Sequence, residues 1–568
     1  MLKGVSASTG IAIGKALILK ELNYNIQKNN VENAEKEKEK LNLAIDRAKE
    51  QLEKTIKSTK EKLGEEKSKI FEAHLLMLDD PEFTGAIISK IEGDKINSEY
   101  AVKTTSDELA MIFESLDDAY MRERAADIRD ISKRLIKILN GDESLSIEDI
   151  DQQCIIIAND LTPSDTAQIN KDLVLGFGTQ IGGVTSHSAI IARSIGIPAV
   201  LGVGEDIKTI KENDILILDG DNGNIIVNPA EDVLIQYREK MQEQRKFRET
   251  LLKFKEQESI TLDNKKVEVV SNIGSIDDAE NALKNGAEGI GLFRTEFLYM
   301  SKDNLPTEQE QFQAYKEVLE KLNNKPVIIR TLDIGGDKKL TYLPIGEELN
   351  PFLGYRAIRL CLDRKDIFKT QLRALLRASV YGNLKIMFPM ISNIQELREA
   401  KEVLEECKAE LRKEKIEFKN DVQVGIMIEI PSAAVSSDIL AKEVDFFSIG
   451  TNDLIQYTIA VDRMNERVSY LYDFFNPAVL KLIKMVIENG HKEGKYVGMC
   501  GEMAGNKYLI PLLLGMGLDE FSMSASSILN ARRIISESNY KECIKIVDKV
   551  MALSTSTEIK EYLMSISK

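Results

Sequence analysis

Three histidines, five cysteines and a lack of long apolar runs set the first limits on this 568-residue chain. No apolar stretch approaches the roughly 18 residues that a membrane helix needs, so insertion into a bilayer is not expected. Cys154, Cys361, Cys407, Cys500 and Cys543 are odd in number, scattered and never spaced as CxxC. That is the usage of a reducing compartment, and it argues against a disulfide framework. The first residues, MLKGVSASTGIAIGKALIL, are interrupted by Gly4, Gly10 and Gly14 and hold no clean apolar core before a cleavage site. A secretory leader is therefore not expected, and the sequence reads as cytoplasmic. An excess of positive charge is missing as well. Lys plus Arg number 76 against 92 Asp plus Glu, for a net charge of −16. Nucleic-acid phosphates call for clustered cations, so nucleic acid is not the expected partner. An acidic surface suits a basic protein instead.

What remains is an ordinary soluble composition, 43% apolar and 30% charged, in a chain long enough for three or four domains. Residues 1–20 read as strand and turn. From residue 31 the character changes: Leu41, Ile45, Ala48, Leu52 and Ile56 recur at three and four residues among Lys and Glu. That spacing predicts an amphipathic helix. Further helical stretches follow to about Leu139, broken at Asp80-Pro81 and Gly93-Asp94 and closed by Asn140-Gly141. Residues 21–143 are thus expected to be an all-helical insert. Residues 154–228 alternate short apolar runs with glycine turns, with Asp221-Asn222-Gly223 as a hairpin signal. The expected small α/β domain joins 1–20 to 144–229, and 230–260 reads as a linker helix. From 261 to 568, eight apolar runs alternate with amphipathic helices: VEVVSNI, GIGLFRT, PVIIRTLD, LKIMFPM, VQVGIMIEI, FFSIGTND, YVGMCGE and EFSMSA. Eight strand–helix units predict a (β/α)8 TIM barrel, with a doubly wound open sheet as the competing arrangement.

A TIM barrel builds its site at the carboxyl ends of its strands, so the residues found there matter. Arg294 ends the second run, Arg330 and Asp333 the third, Glu429 the fifth, Asn452 and Asp453 the sixth, and Cys500 the seventh. Glu429 and Asp453 offer the oxygen ligands that Mg²⁺ prefers. Arg294, Arg330 and Arg356, with Arg463 just beyond the sixth strand, are planar donors suited to phosphate and carboxylate. A thiol such as Cys500 can deliver a proton to carbon. The set fits a small anion bearing both phosphate and carboxylate.

The second constellation is GGVTSHSAIIARSIGIPAV, residues 182–200. His187 follows Gly182-Gly183 and Thr185-Ser186 and opens a helical run. Glycine allows close backbone approach, the hydroxyls cap the helix, and free N–H groups at a helix start hold phosphate. Such a histidine is placed to be phosphorylated. His74, in FEAHLLML, reads instead as a partly buried or surface helix residue, and His491 as a solvated helix end.

These motifs carry a resemblance. GGVTSHSAIIAR, GLFRTEFLY, RTLDIGGDK, NPFLGYRAIR, MIEIPSAA, FFSIGTNDLIQYTIAVDR and GMCGEMAG, in this order along the whole chain, resemble the Enzyme I family of the bacterial sugar phosphotransferase system. The resemblance implies a phosphoenolpyruvate–protein phosphotransferase that phosphorylates His187 on Nε2. It implies phosphoenolpyruvate binding by Arg294, Arg330, Asn452 and Arg463, Mg²⁺ binding by Glu429 and Asp453, and protonation of the departing enolate by Cys500. It also implies that the insert docks a histidine-containing phosphocarrier protein and that the barrel forms a homodimer. Val184 departs from the pattern, because close relatives usually have Arg there. Two other readings compete: a pyruvate phosphate dikinase or phosphoenolpyruvate synthase relative, and a catalytically idle binding protein. The first would need an ATP-binding domain ahead of the histidine domain, where no glycine-rich phosphate loop occurs.

Overall fold

The alternation of apolar runs and glycine turns in the first 230 residues folds into a single eight-stranded sheet. A computed structural model describes the chain except residues 20–25, 64, 115–118, 142–146, 148–149, 163–164, 167–168, 184–185, 301, 303, 337, 339, 341, 347, 466 and 568. Val184 and Thr185 thus lie outside the described residues. The chain divides into two units, Met1–Lys246 and Phe247–Lys568.

In the first unit the strands are β1 (Leu2–Lys3), β2 (Val5–Ser8), β3 (Ile11–Ile18), β4 (Cys154–Ala158), β5 (Val174–Thr179), β6 (Ala199–Leu201), β7 (Ile215–Asp219) and β8 (Asn224–Val227). Their order is β1-β8-β7-β3-β4-β5-β6-β2. β3 runs parallel to β4, although five helices intervene in sequence: α1 (Ala34–Leu63), α2 (Glu65–Asp79), α3 (Pro81–Asp94), α4 (Ser98–Glu114) and α5 (Ala119–Leu139). These helices bury a core of their own. Leu41, Ile45, Ala48 and Leu52 of α1 meet Ile87, Ile91 and Leu135 there, as the three-and-four spacing requires. α3 starts where Asp80-Pro81 predicts a break. Pro81 has no N–H to lose at a first helical position, and Asp80 Oδ1 accepts from the Glu82 amide at 2.8 Å. Asp221-Asn222-Gly223 turns the β7–β8 hairpin, with Gly223 at φ +68°.

α6 (His187–Ile195) begins at His187, with Ser186 as its cap and Gly196 at φ +74° ending it. α7 (Glu231–Leu252) occupies the expected linker, and the division between the two units falls within it. Its first half is tied to the β7–β8 hairpin: the Tyr237 hydroxyl donates to Asp219 Oδ2 at 3.1 Å, and the Gln244 amide donates to Asp221 Oδ2 at 2.9 Å.

In the second unit, β9 (Glu268–Ile273), β10 (Ile290–Arg294), β11 (Pro326–Arg330), β12 (Asn383–Phe388), β13 (Gln423–Ile428), β14 (Phe446–Ile449), β15 (Tyr496–Met499) and β16 (Glu520–Met523) close into a parallel barrel. β16 pairs with β9, so the competing open sheet is excluded. Alternation sorts the side chains. Val269, Ile329, Ile386, Phe447, Met499 and Phe521 face the surrounding helices, whereas Leu292, Ile328, Met387, Met427, Phe446 and Cys500 line the lumen. Arg532 is fully buried outside the barrel and pins the segment entering it. Its guanidinium donates to the carbonyls of Phe254 at 3.0 Å, Lys255 at 2.8 Å and Gly286 at 2.5 Å, and to Ser259 Oγ at 3.1 Å. No helix among the described residues is long and apolar enough to cross a membrane.

Candidate active site

All eight strands are parallel, so their carboxyl ends open on one face, where the polar strand ends gather. Arg330, last in β11, is 6% exposed. Its Nη2 donates to Glu296 Oε1 at 2.7 Å, and its Nη1 stands 3.1 Å from Asp333 Oδ2. Asp333 also takes both ends of a fork from Arg356, whose Nη2 lies 2.8 and 3.0 Å from the two carboxylate oxygens. The same guanidinium reaches Asp453 Oδ2 at 3.4 Å and donates to the Tyr457 hydroxyl at 3.1 Å. Arg463 approaches from beyond β14, with Nη1 3.6 Å from Asp453 Oδ1. Glu429, directly after β13, accepts from the Met390 amide at 2.6 Å. Met390 takes φ +56°, an uncommon conformation for a side chain of its size.

Not every group in this network is satisfied. Arg330 Nε, Arg463 Nη1 and Asp453 Oδ1 are buried and have no hydrogen-bond partner. Arg463 Nη1 and Asp453 Oδ1 face each other at 3.6 Å, beyond hydrogen-bond distance, and Arg330 Nε makes no hydrogen bond. Leaving a buried donor or acceptor without a hydrogen bond costs on the order of 1–3 kcal/mol, a cost that a charged ligand at this strand-end face would relieve.

The charges shape the chemistry. Burial, with Asp453 and Asp333 adding repulsion, pushes the Glu429 carboxyl up to about 8 against the pull of Arg330 and Arg356. Burial works the same way on Asp333, but there Arg330, Arg356 and Lys338 prevail and hold it well below the usual carboxylate range. Burial pushes the Cys500 thiol up to about 12, against opposing pulls from Ser448 and Arg330. At neutral pH that thiol keeps its proton, which suits a proton donor and not a thiolate nucleophile.

Of the residues the sequence singles out, Arg330, Arg356, Glu429, Asp453, Arg463 and Cys500 are brought into one interacting set. Asn452 borders it, its Oδ1 3.4 Å from the Glu502 amide and 3.5 Å from the Tyr472 hydroxyl. Arg294 stands exposed at the end of β10, with its guanidinium 5.8 Å over the Phe297 ring. The Arg356 guanidinium donates to Asp333 and to the Tyr457 hydroxyl, and these bonds fix its position at the strand-end face. Sequence reasoning passed over Glu296 and Lys338, which lie in RTEF and GGDKK just past strand ends.

Metal binding can be tested on these side chains. Among the described residues no group of three or more His, Cys, Asp or Glu forms a metal cluster. Mg²⁺ is commonly held by only one or two carboxylates plus waters and substrate oxygens. Glu429 and Asp453, mutually repelling and with Asp453 Oδ1 making no hydrogen bond, fit that requirement.

The other unit holds His187, the first residue of α6. Gly182 precedes it at φ +117°, and the capping Ser186 Oγ accepts from the Ala189 amide at 3.3 Å. His74 is buried in the helical region, with Nε2 3.1 Å from Asp127 Oδ1. His491 is partly exposed, and its Nε2 lies 2.8 Å from Asp519 Oδ2. In the segment FEAHLLMLDDPEF, Leu75, Leu76 and Leu78 adjoin Asp79 and Asp80 in sequence, but of the three leucines only Leu76 is exposed, at 71%. Leu78 is 2% exposed and Leu75 packs on the helical core, because their helical phase turns both inward. Asp80 is occupied as the α3 cap.

Three family patterns cover the chain: PEP-utilising enzyme, N-terminal, over residues 3–124; PEP-utilising enzyme, mobile domain, over 150–223; and PEP-utilising enzyme, PEP-binding domain, over 248–540. The chain is 52% identical over 567 residues to a phosphoenolpyruvate-protein phosphotransferase of Staphylococcus carnosus, covering 100% of this chain and 99% of that one. It is 53% identical over 562 residues to the protein of the same name from Bacillus subtilis, with 99% of each chain covered. A third such protein, from Staphylococcus aureus, is 53% identical over 99% of this chain and 98% of its own.

Proposed function

The chain belongs to the PEP-utilising enzymes, and on that basis we propose that it is a phosphoenolpyruvate–protein phosphotransferase working through a phosphohistidine at His187. The observation that carries this reading is the set of buried atoms at the barrel's strand-end face that make no hydrogen bond: Arg330 Nε, with Arg463 Nη1 and Asp453 Oδ1, which face each other only as a 3.6 Å ion pair. Arg330 and Arg463 bind the phosphate and carboxylate of phosphoenolpyruvate, with Arg294 and Asn452 at the rim. Glu296 and Asp333 hold Arg330 and Arg356 in position, so little reorganisation is needed as charge moves. Glu429 and Asp453 would hold Mg²⁺, which when bound would offset charge on the phosphoryl oxygens. His187 Nε2 attacks phosphorus, the P–O bond to the enol breaks, and Cys500 gives its proton to carbon, leaving pyruvate.

The histidine and the substrate groups lie on different units, so each cycle requires the two to meet and part. The onward acceptor is a histidine-containing phosphocarrier protein, docked on the helical region of the first unit, where Leu43, Leu76 and Met111 are exposed. We further infer a cytoplasmic homodimer. Incubation with labelled phosphoenolpyruvate and Mg²⁺, followed by mapping, tests the core of the proposal. Label appears at His187 without ATP; label retained in His187→Ala, or strict dependence on ATP, overturns it.

A further inference from the structure

The barrel lumen below Cys500 contains polar groups that phosphoryl transfer leaves unused. Phe447, Met499 and Phe521 pack outward against helices, so their neighbours Phe446, Ser448, Tyr496, Gly498, Cys500 and Glu520 face inward. Register sets three of them in a row across adjacent strands, because Ser448 pairs with Gly498 and Gly498 with Glu520. A Cβ on Gly498 would lie 2.7 Å from Glu520 Oε1, so the missing side chain is what admits the carboxyl to the lumen.

Both flanking groups are fully buried, and both Ser448 Oγ and Glu520 Oε1 are without a hydrogen-bond partner. Toward the mouth, the Ser448 hydroxyl favours the ionised form of Cys500, while standing outside full hydrogen-bonding geometry. Toward the floor, the Tyr496 hydroxyl lies 3.2 Å from Glu520 Oε2 and 2.8 Å from Glu268 Oε2. The Lys385 ammonium stands 5.1 Å from the Tyr496 ring and 5.7 Å from Phe446. Glu268, Lys385 and Tyr496 are only half-buried, so this end of the row reaches solvent. Burial and Glu268, with Asp519 adding, push the Glu520 carboxyl up to about 7 against Lys385 and Tyr496. It therefore holds a proton near neutrality. Three groups in a line, two of them unsatisfied at real energetic cost, call for a purpose.

We propose that Ser448, Glu520 and Tyr496 form a proton path along the barrel axis that reprotonates Cys500 from the floor after each turnover. The inference rests on the reading of Cys500 as proton donor. Once the thiol has given its proton to the enolate carbon, the Ser448 hydroxyl passes its proton to the thiolate. Ser448 is refilled from the Glu520 carboxyl through one water beside Gly498. Glu520 is then recharged through Tyr496 from solvent at the floor. One proton enters for each pyruvate formed, and nothing is oxidised or reduced.

The test compares first and later turnovers in the full chain. Glu520→Gln keeps a partner for Tyr496 but has no proton to pass on. It should release the first pyruvate per subunit at the wild-type rate, with an unchanged dependence of this burst on phosphoenolpyruvate concentration. Later turnovers should slow by on the order of 10²-fold, the scale of a lost proton transfer. Ser448→Ala should show the same burst and slow phase. A Glu520→Gln enzyme that holds its steady rate within twofold of wild type, while Cys500→Ala is inactive, overturns the path and leaves Cys500 as donor. Turnover persisting in Cys500→Ala shows instead that the donor reading itself has failed.

Discussion

Replacing Glu520 with glutamine should change how the barrel's stability depends on pH, apart from any effect on turnover. In the folded barrel the carboxyl titrates at about 7 because it is buried beside Glu268, against 4.5 when solvated. That difference, at about 1.4 kcal/mol per tenfold, is worth about 3 kcal/mol. Its sign follows from which state keeps the proton. Between pH 4.5 and 7 the folded chain holds a proton that the unfolded chain has released. The resulting stability is therefore complete below pH 4.5 and is lost as pH rises to about 7. A glutamine at this position cannot ionise and escapes the loss, while Glu268, Tyr496 and Lys385 remain in both proteins and cancel. Part of the loss has already occurred at pH 5, so from pH 5 to pH 8 the variant should gain about 2–3 kcal/mol on wild type, roughly 4 °C in the melting of a unit this large. Calorimetry at the two pH values measures it. Parallel pH dependences in the two proteins would refute the placement of an ionisable, poorly solvated carboxyl in the lumen.

Cys500→Ala should lower turnover of phosphoenolpyruvate on the order of 10²-fold or more while sparing transfer from phosphorylated carrier back to His187; equal loss of both would make the thiol structural. Asp333→Ala strips Arg330 and Arg356 of a shared buried counter-charge and should cost about 3–5 kcal/mol in urea unfolding, with a cost under about 1 kcal/mol counting against the network. Asp453→Asn should raise the Mg²⁺ concentration needed for half-maximal labelling of His187, and an unchanged requirement would remove Asp453 from the metal site. Leu76→Asp should slow transfer to the carrier and leave labelling by phosphoenolpyruvate intact; a normal transfer rate would move the docking surface elsewhere.

The barrel was legible because its strands are short apolar runs, several of which end in a residue with chemistry, as at Arg330, Glu429, Asp453 and Cys500. Roles inside the site were harder to read. Arg330 and Arg356 look alike in sequence, yet one keeps an unpaired nitrogen and the other is spent on Asp333, a distinction made by the loop between them. The lumen polar row was hidden for another reason. Ser448 in FFSI and Glu520 in EFSM look like ordinary strand residues until closure and register set them on either side of Gly498. Leu75 and Leu78 turn inward although they adjoin acids in sequence, because an apolar cluster says nothing about helical phase until a core fixes it.

Arg532 decides where the barrel can be cut free. Three of its bonds go to Phe254, Lys255 and Ser259, upstream of the first barrel strand. A fragment starting at residue 260 would keep the arginine, 1% exposed, and discard three of its four acceptors. Anyone producing the barrel alone should begin it no later than about residue 250, even though every barrel group proposed to touch substrate lies more than forty residues further on.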